Sequence, residues 1–231
     1  MDTAIASNIA KIKQRIAAAA ARSHRPPDAV KLLVVTKTIP PMLIEEAISA
    51  GITALGENYV QEAKEKITAL GSKIEWHMIG HLQTNKAKYV VKLFDYIHSV
   101  DRLDLAMEID KRAGVAGRKI NILIEVNVSG EKTKNGIEAA KAIDLLQAIS
   151  GLDNIAVKGL MTMAPYSSDP ENSRPCFSAL RNLQQKIIKE RIAGIRMDEL
   201  SMGMTDDFEI AIEEGATIVR IGRAIFGERN K

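Results

Sequence analysis

At 231 residues, with 46% of side chains hydrophobic and 26% charged, the chain has the composition of a soluble globular protein able to bury a large core. Its formal net charge of +3 is spread along the sequence and not gathered in a basic tail, which argues against a nucleic-acid partner. The single cysteine, Cys176, excludes an intrachain disulfide and a four-thiolate metal site, and fits a reducing cytoplasm.

Residues 5–21 are alanine-rich and apolar, but Lys11, Lys13 and Arg15 interrupt the run, so it reads as neither signal peptide nor membrane span. Ile5, Ile9, Ile12 and Ile16 recur on one face, the pattern of an amphipathic helix; residues 1–24 are expected to pack on the rest of the domain. Pro26 and Pro27 end that helix. Residues 32–36 form a short, nearly continuous apolar run, as expected for a parallel strand covered on both faces. From there helices over 42–49, 59–70, 82–93, 103–113 and 137–149 alternate with strands over 54–56, 75–80, 96–100, 121–128 and 157–163. A proline-rich loop over 165–175 precedes a helix from about 176 to 190, and the last units are strand 198–201, helix 206–213 and strand 217–221. Eight strands alternating with helices predict a single α/β domain over 1–231, a (β/α)8 TIM-type barrel with an extra N-terminal helix; an open doubly wound sheet is the alternative.

In such a barrel the site lies where the strands end, so the residues just after them carry the chemistry. Lys37 follows strand one; it is either a solvated strand-end lysine or an imine-forming amine whose pKa burial would lower. Ser201, Gly203 and Thr205 lie in a loop running into a helix, a place for a phosphate, unless Thr205 only caps that helix. Gly222 and Arg223 form a second such loop after the last strand. Strand alternation points Arg220 into the barrel, toward a heteroaromatic nitrogen or a core carboxylate such as Glu125. His77 and His81 are four apart without a third ligand, so no metal is expected; His77 reads as a packed barrel residue and His81 as facing the site.

The segments Thr36-Lys37-Thr38, Gly56-Glu57-Asn58-Tyr59-Val60-Gln61-Glu62, Trp76 through Lys86, Leu200 through Thr205 and Val219-Arg220-Ile221-Gly222 together resemble the pyridoxal phosphate homeostasis protein family, over nearly the whole chain and in order. The resemblance implies a barrel related to the N-terminal domain of alanine racemase, with pyridoxal 5′-phosphate (PLP) as cofactor. It implies Lys37 as the Schiff-base lysine, Asn58 and His81 lining the cofactor, Arg220 at the pyridine nitrogen, and Ser201, Thr205, Gly222 and Arg223 cradling the phosphate. An arginine at that nitrogen disfavours its protonation and makes the ring a poorer electron sink.

The resemblance implies two candidate functions. One is buffering PLP in the cytoplasm and passing it to apo-enzymes, as a monomer or weak homo-oligomer. The other is amino-acid racemization or a related α-proton transfer, which needs a second base. In the racemases it resembles that base is a tyrosine of an additional β-domain, which the chain is expected to lack; Tyr59, Tyr89, Tyr96 and Tyr166 read as packing residues. The carrier function is therefore the expected one.

Overall fold

The computed structural model describes residues 3–71, 73–131 and 134–228. Nine strands occur among them: β1 (Lys31–Val35), β2 (Ala54–Glu57), β3 (Glu75–Met78), β4 (Tyr96–Val100), β5 (Ile120–Asn127), β6 (Ile137–Glu138), β7 (Ile155–Met161), β8 (Glu199–Ser201) and β9 (Ile218–Ile221). All pair in parallel in the order β4-β3-β2-β1-β9-β8-β7-β5, and a β4–β5 pairing closes the ring into an eight-stranded barrel. β6 adds two residues to the edge of β5. Around the ring run α1 (Ala4–Arg22), α2 (Pro41–Ser49), α3 (Val60–Leu70), α4 (Ala87–Leu93), α5 (Leu103–Val115), α6 (Ala142–Ile149), α7 (Arg174–Glu190), α8 (Phe208–Glu213) and α9 (Arg223–Phe226).

The helices expected over 137–149 and 82–93 each start five residues late. Residues 137–138 were expected to be helical; Gly136, at φ +106°, turns the chain back so that Ile137 and Glu138 pair with Val126 and Asn127 before α6 begins. Residues 82–86 are held outside α4 by Arg102, whose guanidinium donates to the Leu82 carbonyl at 3.0 Å and to Thr84 Oγ1 at 3.1 Å.

Strand alternation divides the barrel wall. Val34, Leu55, Trp76, Ile97, Ile122, Leu160, Leu200 and Val219 belong to the large apolar core that extends to the helices. On the inner face Leu33, Ala54 and Ile218 form a small separate cluster with Ile79. The inside of such barrels is usually filled by bulky branched side chains. Here buried His77, His98, Glu125, Ser201 and Arg220 share the strands with them.

The α1 stripe Ile5, Ile9, Ile12, Ile16 is buried, continued by Ala19 and Ala20. Thr3 caps the helix, its Oγ1 accepting from the Ala6 amide at 3.2 Å. Asn8 donates to the Ile225 carbonyl at 3.0 Å, Arg15 pairs with Glu209 and Arg22 with Glu213. α1 therefore braces α8 and α9, the helices that follow the two glycine loops.

Candidate functional site

The structure places the expected site residues at the ends of five strands that are consecutive around the ring, β3-β2-β1-β9-β8. His81 follows β3, Asn58 follows β2, Lys37 follows β1, Gly222 and Arg223 follow β9, and Gly203 and Thr205 follow β8. The two phosphate-type loops are thus neighbours, and Lys37 stands beside the one after β9.

Alternation from Leu33 on the inner face through Val35 puts Lys37 on that face too, half-buried. The residues on either side of it point the other way and are pinned. Thr36 Oγ1 donates to Glu57 Oε1 at 2.6 Å. Lys66 of α3 donates its three protons to the Thr36 carbonyl at 2.5 Å, Glu57 at 2.7 Å and Glu62 at 2.6 Å. Glu62 also accepts from the Thr38 amide at 2.5 Å and so holds Thr38 at φ +65°, a left-handed conformation uncommon for threonine. Burial pushes Glu57 up from the ordinary carboxylate range, against the opposing hydrogen bonds from Lys66 and Thr36. Sequence reasoning missed this network. Its traces were a glutamate ending a buried strand and the Glu62/Lys66 pair one helical turn apart.

Asn58 is half-buried and its Oδ1 is a buried acceptor without a hydrogen-bond partner among the described residues. Gly80 allows this arrangement: a Cβ there would lie 2.4 Å from the Asn58 carbonyl oxygen. His81 is exposed, on a groove of about 840 Å³ between α3 and α4 that Asn58 also lines.

In the β8 loop Gly203 adopts φ +91°, and a Cβ there would meet the Ala211 Cβ at 2.5 Å. Only glycine lets this loop lie against α8. Asp207, not Thr205, is the N-cap of α8, which begins two residues later than expected. The two carboxylates that would repel an anion are occupied: Asp207 Oδ1 accepts from the Met204 amide at 2.7 Å, and Asp206 is paired with Arg223. That ion pair also ties the two glycine loops together.

Arg220 faces inward as expected, but its partners are not Glu125. Nη1 donates to the Ser201 carbonyl and to Ser201 Oγ, both at 2.7 Å, and Nη2 donates to the Thr162 carbonyl at 2.8 Å. Burial lowers its pKa to about 10. Ser201 was expected among the phosphate ligands; the structure buries it completely and gives its hydroxyl to Arg220 and to His98 Nδ1, 3.0 Å away. Ser201 thus holds the arginine from behind. Glu125, inside the barrel on β5, is raised to about 7 by burial and by Asp101, with Arg220 opposing.

This constellation suits an anionic carbonyl compound: an amine and an amide just after neighbouring strands, a buried cation inside the barrel, and paired glycine loops after the next strands of the ring. Pyridoxal phosphate has matching parts: an aldehyde for the amine, an anion for the glycine loops and a ring nitrogen that accepts from a cation.

The model of the alanine racemase N-terminal domain family matches residues 3–230. The pyridoxal phosphate homeostasis protein of Aquifex aeolicus is 46% identical over 222 residues, 96% of each chain. PipY of Synechococcus elongatus, solved with PLP bound, superposes with a TM-score of 0.85 at 35% identity, covering 96% of this chain and 100% of PipY. An alanine racemase of Clostridium difficile shares the fold at 14% identity and a TM-score of 0.79, with 98% of this chain on 57% of the enzyme. With near-complete coverage at this identity, the chain belongs to the pyridoxal phosphate homeostasis protein family.

Proposed function

We propose that the chain binds PLP as a Schiff base on Lys37 and serves intracellular PLP homeostasis, holding the cofactor in the cytoplasm and releasing it to apo-enzymes. The observation that carries this reading is the placement of Lys37, Asn58, Gly203, Thr205, Gly222 and Arg223 at adjacent strand ends. Condensation of the neutral Lys37 amine with the aldehyde forms a C=N bond and releases water. The phosphate goes to the Thr205 hydroxyl, Arg223 and the first-turn amides of α9 after Gly222. Asn58 offers its side-chain amide N–H to the ring oxygen, and His81 stands on the groove that Asn58 also lines. Arg220 meets the pyridine nitrogen, and a bound ring so held is a weak electron sink, suited to storage more than to carbanion chemistry.

The test is borohydride reduction of the PLP-loaded protein followed by peptide mapping. A reduced adduct on Lys37, and loss of the imine absorbance in Lys37→Ala, are expected; an adduct on another lysine overturns the assignment. Incubation with amino acids in deuterium oxide separates carriage from catalysis. No α-carbon exchange above background is expected, and steady exchange at about 1 s⁻¹ would make the protein an enzyme.

A further inference from the structure

Behind Arg220 a line of hydrogen bonds crosses the inside of the barrel. Ser201 Oγ lies 3.0 Å from His98 Nδ1, His98 Nε2 lies 2.7 Å from His77 Nδ1, and His77 Nε2 lies 2.7 Å from Glu75 Oε1. His77, His98 and Ser201 are fully buried, while Glu75 is half-exposed at the opposite end of the barrel and also bound by Lys31 at 2.7 Å.

The carboxylate end and the burial of both rings fix the protons along this line. Arginine can only donate, and a carboxylate only accepts. Glu75 is held ionised, its pKa lowered to about 2 by His77 and Lys31. His77, kept neutral by its burial, therefore carries its one proton on Nε2 and accepts at Nδ1. His98 then donates from Nε2 and accepts at Nδ1, and the Ser201 hydroxyl donates to His98 while accepting from Arg220. Each group is satisfied with both imidazoles neutral, and burial pushes both histidine pKa values down. Tyr96 stacks on His77 with centroids 4.5 Å apart and planes at 5°, which fixes the ring plane.

We propose that Glu75, His77, His98 and Ser201 form a one-directional hydrogen-bond relay that positions Arg220 toward the ligand ring, with His98 as a positioning residue. Reversing the line would set a bare His77 Nε2 against the ionised Glu75, or require a charged His77 that its burial opposes, so the relay has one stable polarity. The inference rests on the PLP reading for the identity of the ring, but the proton order belongs to the protein alone.

The first test is side-chain ¹⁵N–¹H NMR of the ligand-free protein, which has four histidines. His77 and His98 are expected neutral, protonated on Nε2 and bare on Nδ1. A charged ring, or a proton on Nδ1 of either, overturns the proposal whatever the ligand. The second compares His98→Leu, which removes donor and acceptor, with His98→Gln, which retains one of each. His98→Leu is expected to weaken PLP binding about tenfold, and His98→Gln to recover most of it. Unchanged affinity in His98→Leu, or equal weakening in both, overturns the positioning role. Absence of an imine band in the unmodified protein would sink the PLP reading instead, leaving the NMR result to stand by itself.

Discussion

The ammonium of Lys66 lies 2.5 Å from the Thr36 carbonyl oxygen, so a charge carried on α3 reaches the barrel wall at the residue before Lys37. Lys66 and Glu57 are both buried, and Lys66 is the cation for Glu57 and Glu62 alike. The geometry of Lys37 therefore depends on a helix that carries none of the expected site residues.

Lys66→Met leaves Glu57 buried without its counter-charge. A broken buried pair of this kind costs about 3–5 kcal/mol. The urea midpoint should fall accordingly, and imine formation with PLP should weaken because Thr36 loses its pin. Glu57→Gln combined with Lys66→Met should recover part of the stability, since no unpaired charge is then buried. A double variant as unstable as Lys66→Met would show that packing, not charge, is at stake.

Gly203→Ala forces a Cβ to within 2.5 Å of the Ala211 Cβ and 2.9 Å of the Phe208 Cα, in a residue at φ +91°. Either the β8 loop or α8 must shift, and with it Thr205. Stability should drop by about 1–3 kcal/mol. PLP should bind less tightly, while pyridoxal, which has no phosphate, should lose less. Equal losses for both ligands would remove this loop from phosphate binding.

The barrel could be read from the sequence because covered parallel strands are continuous apolar runs, as in Leu32 to Val35, and because Gly203 and Gly222 mark loops. The α1 stripe was legible to the residue, since only one helical face buries isoleucines. Ser201 was misassigned because a hydroxyl beside a glycine loop looks like a phosphate ligand, whereas strand parity turns it inward to Arg220. His98 carried no usable local signal: its partners His77 and Ser201 are 21 and 103 positions away, so only the closed ring brings them together. Lys66 had its helical-turn partner Glu62 in view, but its contact with Thr36, 30 positions away, shows only in the fold.

Removing a methyl-rich side chain from the α1 interface tests whether that helix is part of the cooperative fold. Ile12 is buried at 3% exposure, and Ile12→Ala should cost about 2–5 kcal/mol in denaturant unfolding. A change below about 0.5 kcal/mol would mean that α1 opens independently of the barrel.

Glu125 gives the pH dependence a definite sign. Its ordinary value of 4.5 is raised to about 7 in the fold, chiefly by burial. At pH below 4.5 the carboxyl is protonated in both folded and unfolded chains and costs nothing. Between those limits the unfolded chain ionises first and binds fewer protons, so this group lowers stability as pH rises through the window. Above about pH 7 the penalty is constant, on the order of 3 kcal/mol. Glu125→Gln has no charge to bury, so its stability relative to the parent should rise from pH 4.5 to pH 7 and then level off. Urea unfolding of the two proteins across pH 4 to 8.5 measures the difference directly, and the other carboxylates cancel from it. A difference that stays flat, or falls with pH, would place an ionised Glu125 in the folded barrel throughout and attribute its burial to compensation by Arg220.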